Sequence, residues 1–369
     1  MYMIVDWVVS FKYLSASTSS NESHCVAGKH ARFAGEGQEV SMRRLMLGLV
    51  ILLCALAAGA GERPVHTFSI VARDAETGDM GVAVQSHWFS VGSVVTWAEA
   101  GVGAVATQSF AEPAYGSRGL DLMRSGLTAK QALEALLLID GGRDVRQVAF
   151  VDASGNIAAH TGSKCIEAAG HHVGDGYSVQ ANMMLNDEVV PAMVKAYETT
   201  RGDLAERLVT ALEAAQSVGG DIRGKQSAAM LIVKAESTGR PWADRVLELR
   251  IEDHPTPIVE LRRLLAAHRA YEHMNAGDVA VEHQDLELAM AEYGKAAELL
   301  PDNVEVRYWA AVTLATSGNL ERALPMFREI FAVDPNWAEL TKRLVKPGII
   351  PDTPEGRALI ERIVAQGPR

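Results

Sequence analysis

Residues 67–108 read as four strands in succession, and that run constrains the fold more than any other feature of the chain. Thr67–Arg73 alternates or runs apolar for a strand's length. Ala75-Glu-Thr-Gly-Asp79 then supplies the glycine and acidic residues of a hairpin turn, and Met80–Ser86 returns. Ser93–Ala98 and Val102–Gln108 read as two further strands joined through Glu99-Ala-Gly101. Four strands in a row imply antiparallel pairing, because parallel neighbours need a long crossover between them.

The pattern then switches to helix. Tyr115–Ser125 and Ala129–Ile139 form a pair, the second opened by the capping box Thr128-Ala-Lys-Gln131. Strands return at Val145–Asp152, Ile157–His160 and Tyr177–Gln180. A second helix pair follows at about Glu188–Thr199 and Leu204–Ser217, and Ser227–Val233 and Val246–Ile251 return to strand. Sheets separated by helix pairs imply an α+β fold with two stacked antiparallel sheets covered on both outer faces by helices, an αββα four-layer sandwich. Gly101-Val-Gly103 lacks the third glycine and the following helix of a dinucleotide fingerprint, so no cofactor is expected from it.

After His254-Pro-Thr-Pro257 the chain reads as wholly helical. Ile258–Met274 forms a linking helix; beyond it Ala289, Tyr293, Ala296 and Pro301 recur as Ala323, Phe327, Ile330 and Pro335, a period of 34. These residue types at these offsets resemble the tetratricopeptide (TPR) repeat. So few repeats do not bury a solenoid core alone, and they are expected to lean on the linking helix, on residues 337–369 or on the sandwich. The resulting division is 61–254 for the sandwich, 255–275 for the linking helix and 276–369 for an all-α TPR-like domain.

The N-terminal region reads differently. Residues 1–41 are polar and irregular. Met42-Arg-Arg44, the apolar Leu45–Leu56 and Ala58-Gly-Ala60 have the order of a secretory signal peptide, so 42–60 is expected to be removed, 1–41 to be a misplaced gene start, and the protein to be periplasmic or secreted. The apolar run is shorter than a membrane span, so no membrane attachment is expected after cleavage. Cys25 and Cys54 fall in these segments, leaving Cys165 without an intrachain disulfide partner and most simply a small buried hydrophobe. His160, His171 and His172 lack the spacing of a tetrahedral site, so no metal is expected. A formal net charge of −11 and the lack of a basic run exclude a nucleic-acid footprint.

A threonine heading the first hairpin has the layout of an N-terminal-nucleophile (Ntn) hydrolase, in which the chain's own α-amine is the base for the first side chain's hydroxyl. Thr is also an ordinary strand former. The Thr67–Asp74, Gly81–Ser86, Trp97–Gln108, Val151-Asp152, Ala159-His-Thr-Gly162, Val179-Gln-Ala-Asn182 and Gly219–Ser227 segments closely resemble the domain of unknown function 1028 family, over about Thr67 to Asp253. The resemblance implies an Ntn-hydrolase-like fold. By extension it implies amide hydrolysis of a small amide or peptide, with Thr67 as nucleophile.

On that reading Gln108, Ser109 and Asn182 supply oxyanion donors, and Asp221 with Arg223 orients the α-amine or clamps a substrate carboxylate. His87 contacts the nucleophile or substrate. Ser69, on the same strand face as Thr67, is a helper or a replacement nucleophile. Each residue has a plainer role: Gln108 and Asn182 as sheet-end hydrogen bonders, Asp221 and Arg223 as a loop pair, His87 as packing beside Trp88 and Phe89.

Two features depart from the Ntn pattern. Cleavage after Ala60 leaves Gly61–His66 ahead of Thr67, so a second cut is required; and Val94–Ala98 holds no lysine of the kind proteasome-like relatives use. The alternative function is a catalytically silent ligand- or protein-binding module, or a scaffold, with the TPR-like tail docking a protein partner or completing a homo-oligomer.

Overall fold

The computed structural model describes residues 67–368; the segments 1–41 and 42–60, with Cys25, Cys54 and His66, lie outside the described residues. β1 (Thr67–Arg73) and β2 (Met80–Ser86) form the expected hairpin, closed by Gly78 at φ 79° and by Asp74 Oδ1, which accepts the N–H groups of Glu76 and Thr77. Then come α1 (Gly92–Val95), β3 (Thr96–Glu99), β4 (Gly103–Ser109), α2 (Ala114–Arg124) and α3 (Ala129–Ile139). Next are β5 (Arg146–Asp152), β6 (Ile157–Thr161), β7 (Gly170–Gly174), β8 (Tyr177–Asn182), α4 (Val189–Thr199) and α5 (Leu204–Ser217). The domain ends with β9 (Ser227–Val233), α6 (Pro241–Asp244) and β10 (Arg245–Ile251).

Strand pairing is antiparallel throughout: a six-stranded sheet in the order β10-β9-β2-β1-β8-β7 and a four-stranded sheet in the order β3-β4-β5-β6. Strand alternation assigns three apolar layers. Phe68, Ile70, Val179 and Met230 face α4 and α5, where Met193, Leu208 and Leu212 complete the core. Val105, Val148 and Phe150 face Tyr115, Leu120 and Leu133 of α2 and α3. Between the sheets lie Val71, Val82, Val84, Ala104, Ala106, Ala149 and Val151, small side chains that let the two sheets close on each other. The fold is therefore the αββα sandwich. Gly103 shows how tight the small sheet is: a Cβ there would lie 2.4 Å from Val151 O.

Two elements differ from the sequence reading. Ser93–Ala98 is strand only from Thr96 onward; before it the chain makes the helical turn α1, and β3 then runs to Glu99. Thr96 Oγ1 donates to Gly92 O (2.8 Å) and Trp97 Nε1 to Val94 O (2.9 Å), and Gly92 packs so closely on Ala229 that a side chain would not fit. β7 was missed because Gly-His-His-Val-Gly has no apolar alternation and forms the outermost strand of its sheet, paired with β8 alone.

α7 (Pro257–Glu282) runs unbroken from the linking segment into the repeat. Its first turns bury Ile258, Leu261 and Leu265 in the α4/α5 core, and Arg262 bonds Glu213 while Arg269 bonds Asp203 and Glu206. Farther along, Gly277 admits the Tyr293 ring, which a Cβ would meet at 2.7 Å. α8 (Leu286–Leu299), α9 (Val304–Thr316) and α10 (Leu320–Val333) carry the repeat, with Ala289, Tyr293, Ala296, Ala323, Phe327 and Ile330 all buried. α11 (Asn336–Lys342) and α12 (Pro354–Val364) close its end, Leu344, Ile350 and Ile363 joining the Tyr308–Phe327 core. No helix among the described residues is long and apolar enough to cross a membrane.

Candidate functional site

The inter-sheet layer is apolar along most of its length and polar at one end. The alternation that turns Val71 inward also turns Ser69 and Thr67 inward, two and four residues earlier on β1. The same step carries β4 from Ala104 and Ala106 to Gln108, β5 from Val151 and Ala149 to Gln147, and β8 to Ser178, Gln180 and Asn182. Register brings these together: Thr67 lies opposite Ser86 on β2 and Asn182 on β8, and Gln108 lies opposite Gln147. All of these side chains are fully buried.

Backbone carbonyls set the direction of the network, because they only accept. Gln147 Nε2 donates to Ala181 O (2.9 Å) and lies 3.2 Å from Gly170 O, so its Oε1 faces the cluster. That oxygen accepts from Gln108 Nε2 (2.7 Å) and Asn182 Nδ2 (2.9 Å), which leaves each amide a second N–H to aim at Thr67 O, at 3.3 and 3.4 Å. Gln108 Oε1 then accepts the Ser69 hydroxyl (2.6 Å). Ser69 accepts from Gln180 Nε2 (2.6 Å), whose Oε1 accepts from Ser178 (3.0 Å). Thr67 Oγ1 donates to Ser86 Oγ at 3.2 Å.

Chemically this is a neutral site. Hydroxyls and carboxamides orient and polarise, but they do not take up a proton at neutral pH. Ser69 gives its proton to a carboxamide oxygen, so its geometry is that of a helper and not of an activated nucleophile.

The remaining expected residues lie in two other groups. Asp221 accepts from the Arg223 backbone N–H (2.9 Å), Nε (3.1 Å) and Nη2 (2.7 Å), and from the backbone N–H of His87 (3.1 Å), one residue beyond Ser86. The pair thereby pins the Gly219–Gln226 loop to the end of β2. His87 Nδ1 is buried with no hydrogen-bond partner and faces Gly224.

Ser109 does not join Gln108. It adopts φ 70°, and its hydroxyl is buried beside the Cys165 thiol. Cys165 is half-buried at this strand end, donating to Arg146 O at 3.4 Å, and not a core hydrophobe; burial pushes its pKa up, partly offset by Ser109 and the Gly162 backbone. Among the described residues, no group of three or more His, Cys, Asp and Glu side chains is placed to hold a metal ion.

The sequence reading missed Gln147, Gln180, Ser178, Thr161 and Ser86. The signal was present: Gln147 stands immediately before the apolar run Val148–Val151, and Ser178, Gln180 and Asn182 recur with period 2 on one face.

A family model described as "Family of unknown function (DUF1028)" matches residues 67–261, and a tetratricopeptide repeat model matches residues 280–344. No curated protein matches the chain. Among solved structures, protein SPO2555 from Silicibacter pomeroyi, itself assigned to DUF1028, is 32% identical over 54% of this chain and 88% of its own, with a TM-score of 0.49. Anbu (ancestral beta-subunit) from Yersinia bercovieri is 11% identical over 59% of this chain and 97% of its own, with a TM-score of 0.27. With its sandwich matched from the first residue of β1 into α7, the chain belongs to the DUF1028 family, whose function is unknown, and carries a TPR region behind that domain.

Proposed function

We propose that the sandwich is an Ntn-type amidohydrolase acting on a small amide or peptide, with Thr67 Oγ1 as nucleophile and the Thr67 α-amine as base after the chain is cut between His66 and Thr67. One observation carries this reading: the polar end of the inter-sheet layer converges on the residue that opens β1, with Gln108 and Asn182 aimed together at its carbonyl. A free α-amine has a reference pKa of about 7.7–8.0, so an appreciable fraction accepts a proton at neutral pH, and it sits on the carbon next to the one that bears the hydroxyl. Attack on an amide carbonyl forms the C–O bond, passes the hydroxyl proton through the amine to the leaving nitrogen and leaves an acyl-threonine for water to hydrolyse. Gln108 and Asn182 serve this step by holding the Thr67 backbone, since the N–H groups of each are directed at Gln147 Oε1 and the Thr67 carbonyl.

The proposal includes export, through the leader pattern at residues 42–60, and a protein partner or second copy docked by the TPR tail. The experiment compares hydrolysis of a panel of peptide amides by a chain engineered to begin Met-Thr67, whose Met is removed, with a chain that begins at Gly61. The Thr67-started chain is expected to be at least as active. Thr67→Ala abolishes turnover with the fold intact and Thr67→Ser keeps part of it. Full activity in Thr67→Ala defeats the reading.

A second reading has its own observation. Ser69, Gln108, Gln147 and Gln180 spend their hydrogen bonds on one another, as a structural buried network does. On that reading the sandwich is a silent binding module, and Thr67 stays inside the chain.

A further inference from the structure

The buried cluster has an exit to solvent. Gln147 Nε2 also donates to Thr161 Oγ1 (2.9 Å), the last residue of β6, and Thr161 Oγ1 lies 2.8 Å from Nδ1 of His171 on β7. β6 and β7 are the outermost strands of the two sheets on the same side of the sandwich, and His171 is exposed there. Thr161 Oγ1 accepts from Gln147 and keeps its own O–H, which donates to Nδ1 when His171 is the neutral imidazole with its proton on Nε2.

We infer that His171 is a positioning residue for Thr67, acting through Thr161 and Gln147. Neutral His171 holds the Thr161 hydroxyl outward, Thr161 holds the Gln147 amide, and Gln147 Oε1 holds the two amides that meet the Thr67 carbonyl. Protonation puts a hydrogen on Nδ1 facing an oxygen whose own hydrogen points at it. The Thr161 hydrogen must then rotate away while its oxygen accepts from both His171 and Gln147, so the outer link of the chain that holds Gln147 changes its geometry.

The groups around the imidazole favour the neutral form. β6 presents His160, and β7 itself carries His172 on its other face. The titratable side chain of β8 is Tyr177, bonded to Glu198 of α4, and Arg146 of β5 is engaged with Asp140. Partial burial and the two neighbouring histidines hold His171 below its ordinary value of 6.5. The coupling itself does not depend on what Thr67 does; its effect on hydrolysis rests on the function proposed above.

The test uses the full chain labelled with ¹⁵N in its glutamine and asparagine side chains. The amide resonances of Gln147, Gln108 and Asn182 and the imidazole of His171 are followed across about pH 5 to 8. The amides are expected to shift with the midpoint of His171. In Thr161→Val, His171 still titrates and the amides no longer follow it. In His171→Gln, whose carboxamide oxygen accepts the same hydroxyl, the amides lose their pH dependence.

Amides that stay still while His171 titrates, or that keep following it in Thr161→Val, overturn the inference; if Thr161→Val does not fold, His171→Gln decides alone, and amides that still titrate there overturn it. Hydrolysis by the Thr67-started chain then supplies a second readout, an additional acid limb below that of the α-amine base, which His171→Gln removes. A chain that hydrolyses nothing defeats the proposed function while the amide shifts still decide the coupling.

Discussion

The two ends of the inter-sheet layer are made by the same strands in the same register, yet they are opposite in chemistry. At the far end Val71, Val82, Ala104, Ala106, Ala149 and Val151 meet side chain to side chain; at the near end Thr67, Ser69, Gln108, Gln147, Gln180 and Asn182 take those places. The apolar end is held by burial, worth about 25 cal/mol per Å² of apolar surface and indifferent to direction. The polar end contributes little net energy per hydrogen bond, about 1 kcal/mol, but loses heavily when one partner is removed. A fold that needed only stability would extend the valines. A closed carboxamide network at the residue that opens β1 is the feature on which the proposed site rests.

The largest effect on stability is expected at the hub of the network. Gln147→Leu is close in volume but strands the N–H groups that Gln108 and Asn182 donate to Gln147 Oε1 and the oxygens of Ala181 and Thr161 that accept from Gln147 Nε2, and each stranded buried group costs about 1–3 kcal/mol. Denaturant unfolding is expected to show a loss of about 3 kcal/mol or more. A near-neutral result would mean that the polar end tolerates apolar filling as the other end does.

Gln85 sharpens the contrast from the opposite side. It is a fully buried amide on the outer face of β2, opposite Phe68 and on the same face as Ala83, and both its side-chain atoms are without hydrogen-bond partners. Here the amide costs energy and fixes nothing. Gln85→Met is expected to raise stability by about 1 kcal/mol in the same assay. Destabilisation would show that Gln85 has a partner in solution.

The smallest expected effect is the dependence of stability on pH through His171. Its folded midpoint lies below 6.5 and its unfolded midpoint near that value. Between the two the unfolded chain binds more protons, so stability rises with pH through that window and falls as pH drops below about 6.5. Since the group is exposed at the sheet edge, the loss is small. Comparing thermal midpoints of the wild type and His171→Gln across the window checks both sign and source, the difference closing above it.

The layer order was legible in the sequence because it depends on period: strands of period 2 and helix pairs of period 3.6 alternate in blocks, and the period-34 recurrence of Ala289, Tyr293 and Ala296 marks the tail. What was not legible depends on pairing across the sheets. Gln108 and Asn182 stood out as polar residues at strand ends, but nothing local says that Gln147 lies opposite the first and bonds the second. β7 has no pattern of its own and exists because β8 offers it an edge, so His171 could not be placed next to Thr161 from the sequence. Ser109 illustrates the converse: one positive φ turns it from its neighbour's site toward Cys165.

On the proposed function Thr67 becomes a nucleophile only when it is the first residue, and covalent capture decides this. The Thr67-started chain, the Gly61-started chain and Thr67→Ala are each treated with a peptide epoxyketone, a reagent that needs both a hydroxyl and an adjacent free amine to form its ring adduct. Intact and peptide masses then locate the product. One adduct is expected on the peptide that begins with Thr67, in the Thr67-started chain alone. Failure of that chain to react, or an adduct that persists in Thr67→Ala, would contradict it.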